Sequence, residues 1–214
     1  MKNESLSKER MKILKKLKKD IISNGWNENL FKKKQSFNEN QKKILKSLFP
    51  KGYKSLLIFY LSNADNEMIK ASKTLNLVKM RTHEKIYNLV LLKLKINQKD
   101  KELIKRTFYT LLLPHFSRLL ASSTYNTVNL IWDIAGDNSK DYNFYSKRLI
   151  LASIYSATIF YWLNDKTLQQ TKYFLNEKLE KVSKIPKLKK NIDVVLNKYS
   201  NINSFIKNVL NIKQ

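Results

Sequence analysis

Few residues in this chain could do acid–base or metal chemistry, and their spacing does not suit it. The two histidines are His83 and His115, and neither has an acidic residue three positions before it, as a Glu-x-x-His di-iron site requires. His83-Glu84 could open a zinc-binding helix, but position 87 is Tyr instead of the second His. The sequence therefore predicts no metal site.

Other catalytic patterns are also missing from the sequence. There is no cysteine, which excludes disulfides and thiolate metal ligands. The three glycines, Gly25, Gly52 and Gly136, are too far apart to form a glycine-rich phosphate loop, and no nucleophile elbow is present. We predict that the protein is not an enzyme and has no cofactor.

The charge of the chain indicates what kind of partner it binds. The net charge is +25, from 42 basic and 17 acidic residues, and only five of the basic residues are arginine. Such an excess favours nucleic acid or anionic lipid as a partner. A compositional drift toward lysine on solvated surfaces is an equally good explanation.

Helical periodicity dominates the chain and predicts an all-α fold, because glycine, proline and alternating β-branched residues are scarce. Capping boxes at Ser36–Glu39 and Thr167–Gln170 open two of the helices, and Asp141 can cap the central one. The predicted helices cover residues 5–24, 36–49, 52–73, 79–97, 100–113, 116–135, 141–163, 167–183 and 188–211.

The most unusual stretch is residues 149–163, fifteen residues without a charge. A bilayer-spanning helix needs roughly 20 apolar residues, so this stretch predicts a helix buried in the protein. Small residues at helical spacing lie along one side of it: Ala152, Ser153, Ser156 and Ala157. They allow either close packing of a neighbouring helix or space for a ligand.

The sequence around this stretch resembles a known family. The resemblance rests on Ile131-Trp132, Ala135-Gly136-Asp137, Ser139, Asp141 and the run Asn143-Phe-Tyr-Ser-Lys-Arg148. Together they resemble the signature of the ninth Coq protein, a ubiquinone-biosynthesis accessory family of lipid-binding proteins related to TetR-type regulators. Phe144 replaces a tryptophan of the family pattern, and Asn129 replaces an aspartate.

The resemblance implies a TetR-like, all-α bundle of about ten helices, usually dimeric. We expect a helix-turn-helix-like head in residues 1–50, a lipid-binding domain in 51–185 and an amphipathic helix in 186–214. The implied function is to bind isoprenoid quinone intermediates or phospholipid and to present them to the di-iron demethoxyubiquinone hydroxylase. No signal peptide is recognisable, so we expect a cytoplasmic protein on the inner face of the membrane, or on the matrix side in an organelle.

Two groups of site residues follow. We predict that the pocket is lined by Trp132, Leu149, Ser153, Ser156, Ala157 and Phe160. The aromatic and charged cluster at the start of the central helix is the predicted partner surface, because Tyr and Arg often anchor interfaces. Its members are Asp141, Tyr142, Asn143, Phe144, Tyr145, Lys147 and Arg148. A capped helix whose aromatic side chains pack inward is the alternative.

The last predicted helix has a wide apolar stripe with lysines at its margins, which is typical of a helix that lies in the membrane interface. The predicted membrane-contact residues are Ile192, Val195, Leu196, Tyr199, Ile202, Ile206, Val209 and Leu210. The stripe could instead pack on the body or on a second copy. The alternative for the whole protein is a TetR-type DNA-binding regulator with an apolar ligand. Residues 26–55 contain no arginine, the commonest reader of guanine, so we expect no specific nucleic-acid binding.

Overall fold

Helices make up all the regular structure of the described residues. The computed structural model describes residues 2–32, 39–139 and 142–183, and no strand occurs in these ranges. Their eight α-helices are α1 (Lys2–Asn24), α2 (Glu39–Leu48), α3 (Tyr53–Ser72), α4 (Thr82–Asn97), α5 (Lys101–Leu111), α6 (Ser117–Ala135), α7 (Tyr142–Asn164) and α8 (Gln169–Ser183). The all-α prediction is confirmed, whereas the TetR-like arrangement of about ten helices stays a prediction.

The helices end close to the breaks that the sequence predicts. After α1, Gly25 adopts a φ of +75° and donates its N–H to the Ile21 carbonyl at 2.8 Å. Gly136 follows α6 with a φ of +84°, a conformation that glycine adopts without strain. Ser36, Asp141 and the predicted membrane-contact helix 188–211 lie outside the described residues.

The chain forms two units, the first of which contains residues 1–66 and 97–116. In this unit α1 buries Leu14, Leu17 and Ile21, which share one helical face. Trp26 donates its indole N–H to the Thr107 hydroxyl at 3.0 Å, and Arg106 donates to the Ile22 carbonyl at 2.7 Å. These bonds fix α1 against α5.

The second unit contains residues 67–96 and 117–214. Its described core is formed largely by α6, α7 and α8, through buried side chains such as Val128, Ile131, Leu151, Trp162 and Leu175. The sequence-based domain boundaries at residues 50 and 185 stay predictions. None of the described helices is long and apolar enough to cross a bilayer.

Helix α7 is only partly buried, which corrects the prediction of a helix enclosed on all sides. Leu151, Tyr155 and Trp162 face the core. Leu149 and Phe160 are 51% and 59% exposed. The helix therefore has two apolar sides, of which one packs in the core and the other faces solvent.

The turn between α7 and α8 depends on Asp165. Its carboxylate accepts from the Thr171 backbone N–H at 2.8 Å, the Thr171 hydroxyl at 2.7 Å and the Thr167 N–H at 3.0 Å. Thr167, the predicted cap, accepts only a long bond of 3.4 Å from the Gln169 N–H. Burial raises the pKa of Asp165, but the hydrogen bonds from Thr171 and Thr167 outweigh it and lower the pKa to about 2.

We expect Asp165→Asn to destabilise the fold by about 1–3 kcal/mol at neutral pH, because the amide leaves buried donors unsatisfied. The lowered pKa makes this contribution complete above the unfolded value of about 4 and progressively lost as pH falls toward 2. Urea unfolding across this pH range measures it, with the exposed Lys166→Ala as the control. A destabilisation that stayed constant down to pH 2 would contradict a charged Asp165.

Candidate functional site

A buried arginine organises the junction of α6 and α7. Arg148 is 2% exposed, and its guanidinium ends against the last turns of α6 and the segment after it. Its Nη1 donates to Asp137 at 3.0 Å and its Nη2 to Asp133 at 3.3 Å. Two carboxylates therefore neutralise the buried charge, as a buried arginine requires.

Asp137 is the second centre of this network, which we call the Arg148–Asp137 network. Lys147 donates to its Oδ1 at 2.7 Å, and Ser139 donates to its Oδ2 at 2.7 Å. Burial raises the pKa of Asp137, but the bonds from Lys147, Ser139 and Arg148 outweigh it and lower the pKa to about 2. The carboxylate is thus ionised throughout the physiological range.

The two departures from the family pattern both contact Arg148. Asn129 accepts from its Nε at 2.6 Å and donates to Asp133 at 2.8 Å, so the amide joins a cation to an anion. The Phe144 ring lies 3.4 Å from the guanidinium carbon, and the arginine stacks on its face. This stacking needs only an aromatic face, which Phe144 supplies without an indole N–H.

The predicted partner cluster separates into a buried and an exposed part. Arg148 lies inside the fold, which corrects its assignment to a surface, and Phe144 packs on it. Tyr145 is 39% exposed, while Asn143 and Lys147 are half-buried. Asp141 and the side chain of Tyr142 lie outside the described residues.

A cavity of about 310 Å³ lies among α4, α6, α7 and α8. Its apolar walls come from Ile86, Trp132, Ile150, Leu151, Ile154, Leu179 and Val182. Its polar lining residues are Thr82, His83, Lys147 and Ser183. The arrangement suits an apolar ligand with a few polar atoms, since small-molecule pockets are mainly apolar with few placed polar groups.

The cavity wall and the Arg148–Asp137 network are joined through Trp132 and Lys147. Trp132 donates its indole N–H to the Lys147 carbonyl at 3.3 Å, and the Lys147 ammonium lies 5.4 Å from the centre of the indole. Because Lys147 also pairs with Asp137, the network fixes the wall that Trp132 forms. The ionic network thus positions an apolar surface.

Only one of the six predicted pocket residues lines this cavity. Trp132 is the one that does so. The other five are exposed on α7 and do not line this cavity. They are Leu149, Ser153, Ser156, Ala157 and Phe160. That the six residues bind lipid stays a prediction. Small residues at helical spacing indicated one face of α7 but not whether that face points inward.

Neither histidine belongs to a metal centre in the described part of the chain. His83 is exposed at the cavity, and His115 is exposed with its ring 4.3 Å from that of Phe116. Among the described residues no three His, Cys, Asp or Glu side chains are close enough to hold a metal ion.

Sequence reasoning missed the cavity residues of α4 and α8. Ile86 is one of several apolar residues at helical spacing in α4, and nothing in this spacing indicated a ligand site. Leu179 and Val182 are half-buried positions of an amphipathic helix, and this pattern is the same with or without a cavity beside it. The turn at Asp165 could have been predicted from the sequence. An Asp side chain often accepts a hydrogen bond from the backbone N–H two residues later, which here belongs to Thr167.

Part of the second unit is similar in sequence to known proteins. Residues 118–186 match the family model described as COQ9, and this segment includes nearly all of α6 with α7 and α8. A bovine (Bos taurus) relative, "Ubiquinone biosynthesis protein COQ9, mitochondrial", is 33% identical over 76 residues. The match covers 35% of this chain and 24% of the relative. The resemblance inferred from residues 127–163 is thereby confirmed for this segment.

We expect Arg148→Ala to destabilise the protein by about 3–5 kcal/mol, because it removes one of the two cations that pair with the buried Asp137. Arg148→Lys should not restore stability, since lysine cannot reproduce the stacked, multiply bonded guanidinium. Thermal and urea unfolding measure both variants. The exposed Arg118→Ala serves as the control and should change stability by less than about 0.5 kcal/mol. An Arg148→Ala protein as stable as this control would contradict the network.

Proposed function

We propose that this protein is a non-enzymatic accessory protein of ubiquinone biosynthesis. In this function it binds an isoprenoid quinone intermediate or a phospholipid and presents it to the di-iron quinone hydroxylase at a membrane surface. The observation that carries the proposal is the cavity, whose wall includes Trp132 and Lys147 from the signature segment. The family match of residues 118–186 and the similarity to the bovine ubiquinone-biosynthesis protein support the pathway.

The size of the cavity limits which part of a prenylated quinone it holds. An apolar protein cavity of about 150 Å³ binds one benzene ring. A cavity of 310 Å³ is about twice as large, enough for a substituted ring with a short part of its chain. The remainder of a long isoprenoid tail then extends beyond the cavity. The lining surface is almost entirely apolar although Lys147, Thr82, His83 and Ser183 contribute to it, so it suits the apolar part of the ligand.

Filling the cavity should displace the ligand. We expect Val182→Trp to reduce the lipid that copurifies with the protein by at least about tenfold. The volume of this cavity is near the lower end of the range for ligand pockets, so the indole fills a large part of it. Mass spectrometry of extracted lipid measures the effect. The matched control is Ala157→Trp, which adds the same ring on the exposed side of α7 and should leave the lipid unchanged.

Two outcomes would contradict the cavity as the binding site. One is a Val182→Trp protein that folds and retains as much lipid as the parent. The other is loss of lipid from Ala157→Trp alone, which would assign the ligand to the exposed side of α7. Thermal unfolding of both variants confirms that they are folded before the lipid is compared.

The exposed side of α7 supports a function in protein contacts. Tyr145, Leu149, Ser156 and Phe160 recur at intervals of four, seven and four residues, which places them on one helical face. No charged residue occurs between Leu149 and Asn164. Contiguous apolar surface of this kind usually marks an interaction site. We assign the hydroxylase contact to the Tyr145 end and the homodimer contact to the Phe160 end.

Two variants of this face should separate the two contacts. We expect Tyr145→Lys to abolish hydroxylase binding while the dimer persists, because a charge replaces an aromatic anchor. Phe160→Lys should yield a monomer that still binds the hydroxylase. Light scattering measures the mass, and a pull-down with purified hydroxylase measures binding. Tyr173→Lys is the control, because Tyr173 is 74% exposed on α8. If the folded Tyr145→Lys protein binds the hydroxylase normally, Tyr145 is not part of the hydroxylase contact.

The predicted C-terminal helix remains part of the proposal as a membrane contact. The residues of this helix lie outside the described ranges. The membrane contact is therefore supported by the sequence, in which an apolar stripe has lysines at its margins. This contact would bring the cavity close to a store of apolar quinones.

A further inference from the structure

The first unit has a strongly basic surface on the outer side of α1. Five lysines, Lys8, Lys12, Lys15, Lys16 and Lys19, are all exposed. At 100° per residue they fall within an arc of about 100° that extends over about 17 Å of helix. This arc lies opposite the buried residues of α1, and we call it the α1 lysine face.

Three lysines of the α1 lysine face are not neutralised by an acidic residue. Within the described part of the chain, Lys12, Lys15 and Lys19 form no ion pair, and Lys18 pairs with Asp100 outside the face. Glu9 and Asp20 lie at one margin of the arc. On α8, by contrast, Lys181 pairs with Glu177. A drift of composition toward lysine explains the number of lysines but not the grouping of five exposed ones on one arc of α1.

We infer that the α1 lysine face docks on an anionic phospholipid surface. The inference is independent of the cavity, which lies in the other unit. The face carries lysine alone, without the arginines that read bases or the aromatic side chains that stack on them, so it suits a surface of repeated negative charges. In a helix-turn-helix the reading element is the second helix of the motif, whereas these lysines lie on the first helix of the chain.

The number of lysines sets how much the α1 lysine face strengthens membrane binding. Each lysine close to an anionic membrane strengthens binding by about fivefold, so three together contribute about 100-fold. The attraction acts within a Debye length, which is about 10 Å at an ionic strength of 0.1 M, and it therefore weakens with salt. Phosphatidylcholine alone has no net charge for the face to recognise.

The test compares two triple variants of the full chain. Lys12→Gln, Lys15→Gln and Lys19→Gln together remove the centre of the face. The control combines Lys70→Gln, Lys73→Gln and Lys95→Gln, which removes the same charge from exposed positions of the second unit. Binding is measured by flotation with phosphatidylcholine vesicles that contain or lack phosphatidylglycerol, and by titration with duplex DNA. Circular dichroism confirms that both variants fold.

We expect the α1 variant to bind phosphatidylglycerol vesicles about 100-fold more weakly than the parent, and the control less than about fivefold more weakly. Equal losses in both variants would show that net charge alone drives binding and would overturn the inference. An unchanged α1 variant would also overturn it. Loss of DNA binding with vesicle binding retained would assign the face to nucleic acid instead. None of these outcomes depends on whether the cavity holds a quinone.

Discussion

The buried guanidinium of Arg148 is the constraint on which the second unit depends. A charge that is removed from water must be paired with counter-charges and fully hydrogen-bonded, and Asp137, Asp133 and Asn129 meet this requirement here. Because these partners come from α6 and the segment after it, pairing fixes where α7 begins relative to α6. Lys147 extends the same network to Trp132, and through it to the cavity wall.

The segment that resembles the family pattern has a buried part and an exposed part, which the sequence pattern does not distinguish. Its charged members mostly form the Arg148–Asp137 network, which is structural and largely hidden. Tyr145 is 39% exposed, and it continues into the apolar outer side of α7. A single helix thus carries the residues that hold the fold on one side and a surface suited to partners on the other. The small residues of that outer side allow close approach of another chain.

The described cavity and the two strongly acidic carboxyls of the fold do not share residues. The cavity combines apolar walls with a few polar atoms, and the two strongly acidic carboxyls, Asp137 and Asp165, are committed to hydrogen bonds within the fold. Neither carboxyl is poised to exchange protons near neutral pH, because both have a pKa of about 2. Selectivity for a ligand then comes from the volume and the polarity of the cavity.

The helices could be predicted from the sequence, because helical periodicity and the glycine and proline breaks are local properties. The family resemblance of residues 127–163 could also be found in the sequence, since it depends only on which residues occur and in what order. The sequence did not determine which side of α7 is buried, because a helix without charges has no polar face to mark the outside. Leu149 and Phe160 were assigned to a pocket for that reason, and Arg148 to a surface because charge usually indicates exposure. Only the tertiary structure decided these points, since burial and cavities arise from contacts between helices far apart in the chain, such as α4, α7 and α8.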